Sequence, residues 1–192
     1  MEQLKKLHTQ HAEKIRARLE QFKNLSEKQV FQEFQFCLLT PQSNAQRCWS
    51  AVLELTKKNP NTIKEITDIL ATKTRFHHTK AKRILASKES FKKIKHYLSL
   101  PAQQARNKLA KEVNGYGLKE AGHFLRNIGL SNNKIAILDR HILRNLNEEK
   151  IKSQKHYFEI EQKFLAYAAS VNIEPDELDL LWWSQENGEI FK

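Results

Sequence analysis

The sequence predicts an all-α protein on three observations. Apolar residues recur at three- and four-residue spacing through most of the chain, and no stretch of useful length alternates apolar with polar. Capping residues and prolines also fall where the periodic runs stop. With 192 residues, 40% hydrophobic and 29% charged, the chain is apolar enough to fold and long enough for one substantial core or two small lobes.

Residues 2–23 read as a charged helix whose apolar positions, Leu4, Ile15 and Leu19, form only a narrow stripe. Ser26 followed by Gln29 is a capping box that opens a helix carrying Val30, Phe31, Phe34, Phe36, Cys37, Leu38 and Leu39. So dense an apolar run predicts burial, and Thr40-Pro41 ends it. Ser43 is placed to cap a third helix with Trp49, Val52, Leu53 and Leu55, closed at Asn59-Pro60. Asn61 or Thr62 caps a short helix holding Ile63, Ile66, Ile69 and Leu70. Further helices are expected near 77–87, 90–98 and 101–113, the last opened by Pro101. After residue 150 come two more. One carries Tyr157, Phe158, Ile160, Phe164 and Leu165; the other is opened by Pro175 and carries Leu178, Leu180, Leu181, Trp182 and Trp183.

Composition narrows the function. Thirty-three Lys and Arg against 22 Asp and Glu give a formal charge of +11, which suits a polyanionic partner such as nucleic acid; on charge alone a solvated basic surface serves as well. Cys37 and Cys48 form no CxxC pair or cluster, which leaves no iron–sulfur or structural zinc site of the usual spacing and suits a reducing compartment. The N-terminal stretch is charged throughout, and no segment approaches the roughly 20 apolar residues that span a bilayer. The expectation is a cytoplasmic protein with no membrane partner.

Glycine is scarce and clustered. Three of the five, Gly115, Gly117 and Gly122, fall within eight residues, and Gly129 follows. Residues 104–129 therefore read as helix, tight turn, helix, with Asn114-Gly115-Tyr116-Gly117 as the turn and Gly129 as the residue that ends the second helix. A glycine turn before a helix presents backbone N–H groups at the positive end of the dipole, where a phosphate oxygen can bind. Twenty residues beyond Lys119, Asp139 follows the apolar run Ile135-Ala136-Ile137-Leu138 at a helix start. Taken singly, Asp139 is an N-cap and Lys119 a solvated helix residue.

Together, NGYGLKEAGHFLRN at 114–127 and AILDRHILR at 136–144 resemble the helix–hairpin–helix DNA glycosylase superfamily, and within it the second, archaeal and bacterial, type of 8-oxoguanine DNA glycosylase/AP lyase. The likeness continues more loosely through FQFCLLT at 34–40, RFHHTKAKRI at 75–84 and LDLLWWSQENGEIFK at 178–192. The loop before Asp139 departs from the pattern in having no Pro, and Pro41-Gln42-Ser43-Asn44 replaces the usual small residues after LLT.

The resemblance implies a single unit over 1–192, two-lobed with a central cleft. The hairpin occupies about 104–129 and the aspartate loop about 130–140, with no iron–sulfur cluster. It implies a monomer acting on double-stranded DNA that contains an oxidised guanine, in the nucleoid of a prokaryotic cytoplasm. No cofactor is required, and the hairpin is a candidate site for a monovalent cation. A non-catalytic DNA-binding module, or a glycosylase for another damaged base, are the alternatives.

The chemistry of base excision with strand nicking needs a primary amine that attacks C1′ and persists as an imine, a role for Lys119. The attacking form is the neutral amine, which a helix first turn favours. A carboxylate must stabilise the positive charge left on the sugar and help move protons, a role for Asp139. The base must leave the stack to reach them, so something fills the gap and something receives the base. Gln42 and Asn44 are candidates for the gap and Phe76 for stacking. By register with the family, Trp183 matches the base-stacking tryptophan and Lys192 the C-terminal lysine that helps recognise 8-oxoguanine, with the other tryptophan of the pair in the core. Gly115, Gly117, Arg140 and Arg144 are candidate DNA-backbone contacts, with Lys80, Lys82, Arg83 and Arg126 as further basic residues that could hold phosphates. His123 and His141 are too isolated from other ligands to suggest a metal.

Overall fold

The computed structural model describes residues 2–192, apart from the side chains at 186 and 187. Every regular element among the described residues is a helix, and there are no strands: α1 (Glu2–Lys23), α2 (Glu27–Leu39), α3 (Ala45–Lys58), α4 (Ile63–Ala71), α5 (His77–Ile94), a 3₁₀ turn (Lys95–Ser99), α6 (Ala102–Glu112), α7 (Leu118–Asn127), α8 (Arg140–Asn145), α9 (Gln154–Val171) and α10 (Pro175–Asn187). The chain divides into two compact units, residues 25–124 and residues 1–24 with 125–192, the second boundary falling inside α7.

Local signals explain most helix ends. Ser26 accepts from Gln29 N–H while the Gln29 side chain returns to the Ser26 N–H, the reciprocal box expected from the sequence. Thr62 and Glu65 do the same for α4, so Thr62 rather than Asn61 is the cap. At α3 the cap is Asn44, whose Oδ1 accepts from Arg47 N–H at 3.0 Å, and not Ser43. The expected pair of helices near 77–87 and 90–98 is one continuous α5 that tightens into the 3₁₀ turn. No Gly or Pro interrupts residues 77–100, and the polar Ser87 is absorbed by donating to the Ile84 carbonyl at 2.6 Å.

In the 25–124 unit, α2 packs against α3 and α5, and α4 against α5. Phe34, fully buried on α2, is the centre of an aromatic cluster: its ring lies 5.4 Å from Phe91, 5.3 Å from Tyr116 and 5.6 Å from Phe124. Tyr116 thus plugs the hairpin turn into the core, and its hydroxyl donates to the Phe34 carbonyl at 2.8 Å. Burial pushes this phenol well above its ordinary pKa, so it remains a donor.

In the other unit α10 packs against α1, α8 and α9. Ile15 and Phe22 of α1 meet Leu180 and Leu181, with Leu4, Leu7, Leu19 and Ile190 around them. Gly129 ends α7 in a Schellman motif, with Leu130 N–H to Leu125 O at 2.8 Å and Gly129 N–H to Arg126 O at 3.0 Å. Its φ is +71°, and a Cβ there would meet the Lys23 backbone at 2.8 Å, so glycine is required twice over.

Candidate active site

In the hairpin, Val113 closes α6, Tyr116 N–H returns to the Val113 carbonyl at 3.1 Å, and Gly117 O accepts from Ala121 N–H to start α7. Gly115 stands at φ +105°, and its missing Cβ makes room for Arg83, whose Nε and Cδ would lie 2.7 Å from one. Gly117 N–H donates to Glu120 Oε2 at 3.1 Å, so one amide of the expected phosphate cradle is taken up by the helix's own first-turn carboxylate.

Lys119 follows on the first turn of α7. Its side chain is 28% exposed, and its amine makes one long contact, 3.3 Å to Glu120 Oε1. It lies close enough to two neighbours for its charge to act on them. Burial raises the Cys48 thiol to about 11 against the opposing charges of Lys80 and Lys119, which leaves it a thiol rather than a thiolate. Burial lowers the Lys80 ammonium to about 8; Cys48 opposes that shift, while Arg83, Arg75 and Lys119 add to it.

Asp139 caps α8. Oδ1 accepts both cap bonds, from His141 N–H at 2.8 Å and Ile142 N–H at 3.0 Å, so the cap does not occupy Oδ2. The carboxylate is half-buried at the end of a buried irregular run, Ile135–Leu138, which closes with Asp139 N–H donating to the Ile137 carbonyl at 2.7 Å. Glu161 Oε1 holds this run by accepting from Ala136 N–H at 2.8 Å, and the Tyr157 hydroxyl by donating to the Ala136 carbonyl at 2.7 Å. The loop thus owes its shape to α9 rather than to proline. Arg140 and Arg144 are exposed beside it.

Gln42 is exposed at φ +54°, and Phe76 is 55% exposed at φ +57° with the Arg75 guanidinium 5.4 Å over its ring. Asn44 is committed to its cap. Trp182 is the buried member of the tryptophan pair, its ring 5.8 Å from Phe164 and 5.4 Å from Tyr167, while Trp183 is half-exposed with its ring 6.1 Å from Phe191. Lys192 is buried, its ammonium 5.9 Å over Phe22, and Arg18 Nε donates to the neighbouring Phe191 carbonyl at 2.6 Å.

Two of the further basic residues are not phosphate ligands. Lys80 is 1% exposed with its amine enclosed by α2 and the following turn, and Arg126 is 2% exposed, paired with Asp179 at 3.1 Å. Lys82 is exposed. No group of three or more His, Cys, Asp or Glu is placed to hold a metal among the described residues.

Residues 15–173 match the family model of 8-oxoguanine DNA glycosylase. The chain belongs to this family. An 8-oxoguanine DNA glycosylase/AP lyase of Fusobacterium nucleatum is 36% identical, over 99% of this chain and 96% of that one. That of Thermoplasma volcanium is 33% identical, over 93% of this chain and 91% of that one. Among solved structures, the 8-oxoguanine DNA glycosylase of Thermotoga maritima superimposes with a TM-score of 0.89 at 28% identity, covering 100% of this chain and 97% of that one. The Methanocaldococcus jannaschii glycosylase/lyase, solved with a 15-mer DNA containing 8-oxoguanine, superimposes with a TM-score of 0.85 at 31% identity over the whole of both chains. The all-helical fold is therefore that of the 8-oxoguanine glycosylases.

Proposed function

We propose that this protein removes 8-oxoguanine from DNA and then nicks the strand at the abasic site, with Lys119 as nucleophile and Asp139 as the carboxylate that supports it. The observation that carries the reading is the full-length likeness to glycosylase/lyases, one of them solved with 8-oxoguanine DNA. The loose environment of Lys119 supports its role, because a nucleophile must be free to leave its resting contact. The cap on Oδ1 supports that of Asp139, since two fixed hydrogen bonds orient the carboxylate and leave Oδ2 for the chemistry.

The neutral Lys119 amine attacks C1′ as the bond to the base nitrogen breaks. The base leaves with that electron pair and takes up a proton, and Asp139 stabilises the positive charge on the sugar. Transfer of the amine proton, with Asp139 as relay, opens the sugar ring to an imine on Lys119. Loss of a C2′ proton then expels the 3′ phosphate by β-elimination, and water releases the unsaturated aldehyde and restores the lysine. No organic cofactor enters these steps. A monovalent cation on the hairpin carbonyls would serve phosphate binding rather than bond breaking.

Around this centre, Gln42 fills the gap left by the flipped nucleotide, and Asn44, held as a cap, only supports the turn. Phe76 stacks at the opened step, Trp183 stacks on the extruded base and Lys192 reads it. Gly115, Gly117, Arg140 and Arg144 hold the backbone. A monomer working on the chromosome in a prokaryotic cytoplasm completes the reading.

Borohydride trapping tests it, comparing duplexes that carry 8-oxoguanine, other lesions or none. A covalent complex on the 8-oxoguanine duplex is expected. No adduct on any duplex leaves a DNA-binding module, and an adduct only on another lesion reassigns the substrate.

A further inference from the structure

Lys80 is almost wholly buried and has no carboxylate partner among the described residues. Its ammonium donates instead to the Leu39 carbonyl at 2.6 Å, the Pro41 carbonyl at 2.8 Å and Ser43 Oγ at 2.8 Å. The Leu39 carbonyl lies at the C-terminal end of α2, where the helix dipole favours a cation, and the other two oxygens belong to the turn that follows. All three N–H bonds of the ammonium are used; a neutral amine would offer only two for the same three acceptors.

These acceptors bracket the turn that carries Gln42. A glutamine at φ +54° costs on the order of 1–2 kcal/mol and persists only when its surroundings hold it there. The same Ser43 Oγ also accepts from Arg75 N–H at 2.9 Å, next to another left-handed residue, Phe76. One buried ammonium and one hydroxyl therefore tie together two exposed side chains that come from turns more than thirty residues apart. Nothing in the sequence sets Lys80 apart from the basic residues around it.

We infer that Lys80 is a positioning residue for base extrusion, holding the Gln42 and Phe76 turns as one rigid probe through the Leu39, Pro41 and Ser43 oxygens. The inference rests on the reading of Gln42 and Phe76 given above. Lys80 touches neither substrate nor reacting atoms. Its effect is confined to substrates in which a paired, stacked base must be opened.

The test compares single-turnover excision of 8-oxoguanine from a duplex with excision from the same oligonucleotide single-stranded, and with trapping at a preformed abasic site. Lys80→Met fills the same space without charge or donors. It is expected to lower duplex excision about 10- to 100-fold, the scale of a displaced positioning group. Single-strand excision and abasic trapping should stay within about twofold. Ser43→Ala, at a half-buried residue, should lower the duplex-to-single-strand ratio several-fold and gives the answer if Lys80→Met does not fold.

Equal losses on all three substrates, or no loss on the duplex, would overturn the inference. Gln42→Ala and Phe76→Ala separate the two levels. If neither lowers duplex excision, the assignment of those residues fails and the inference with it. If both do while Lys80→Met and Ser43→Ala do not, only the inference fails.

Discussion

The first turns of α5 and α7 each place a lysine beside Cys48, and the two lysines are opposite in every other respect. Lys80 is sealed in, with three short bonds and no freedom. Lys119 is partly open to solvent, with one 3.3 Å contact to the neighbouring Glu120. An amine that must lose a proton, bond to carbon and be released needs the second environment, whereas an amine that must hold a turn needs the first. Sequence position within the helix does not distinguish them; what closes over each one does.

The largest effect that can break this contrast is at Lys119. Lys119→Gln should reduce strand nicking and trapped adduct to background, with melting temperature and DNA affinity nearly unchanged. Asp139→Asn comes next: base release in single turnover should slow about 10²–10³-fold. Stability should fall by less than about 1 kcal/mol, because asparagine caps a helix nearly as well as aspartate.

A smaller effect sharpens the Lys80 side of the contrast. Its ammonium is held at about 8 against 10.5 in the unfolded chain, so between those values the unfolded state binds the extra proton. The contribution of this group to stability therefore rises over that window. The ratio of duplex to single-strand excision should nonetheless fall above pH about 8, as the amine loses one of its three donors, while the melting temperature shows no matching loss. A ratio flat to pH 9.5 would detach Lys80 from the probe.

Smaller again, Gly115→Ala forces a left-handed alanine against Arg83 and should cost about 1–3 kcal/mol by denaturant unfolding. Gln42→Gly is the least destabilising: relief of left-handed strain offsets the added entropy of the unfolded chain, and stability should change by less than about 1 kcal/mol while duplex excision drops.

The sequence made the helices legible wherever local chemistry decides them. The Ser26–Gln29 box, the Pro175 start, the Gly129 stop and the Asp139 cap all lie within a few residues of what they satisfy. It failed where distant groups decide. Ser43 looks as good a cap as Asn44, but Lys80 and Arg75 claim its hydroxyl and leave the cap to its neighbour. Lys80 and Arg126 look like surface cations, but their partners are distant: the Leu39 and Pro41 carbonyls some forty residues away, and Asp179 on α10. The pairing of Glu161 and Tyr157 with Ala136, which shapes the approach to Asp139, had no local signal either.

The most direct measurement of the central claim is to trap the enzyme on an 8-oxoguanine duplex with borohydride, digest the complex and locate the nucleotide-bearing peptide by mass spectrometry. The account predicts a single modified lysine, Lys119, on the peptide that follows Lys111. A sugar remnant on Lys80, on the N-terminal amine or on any other lysine, or an undiminished adduct in Lys119→Gln, would contradict it.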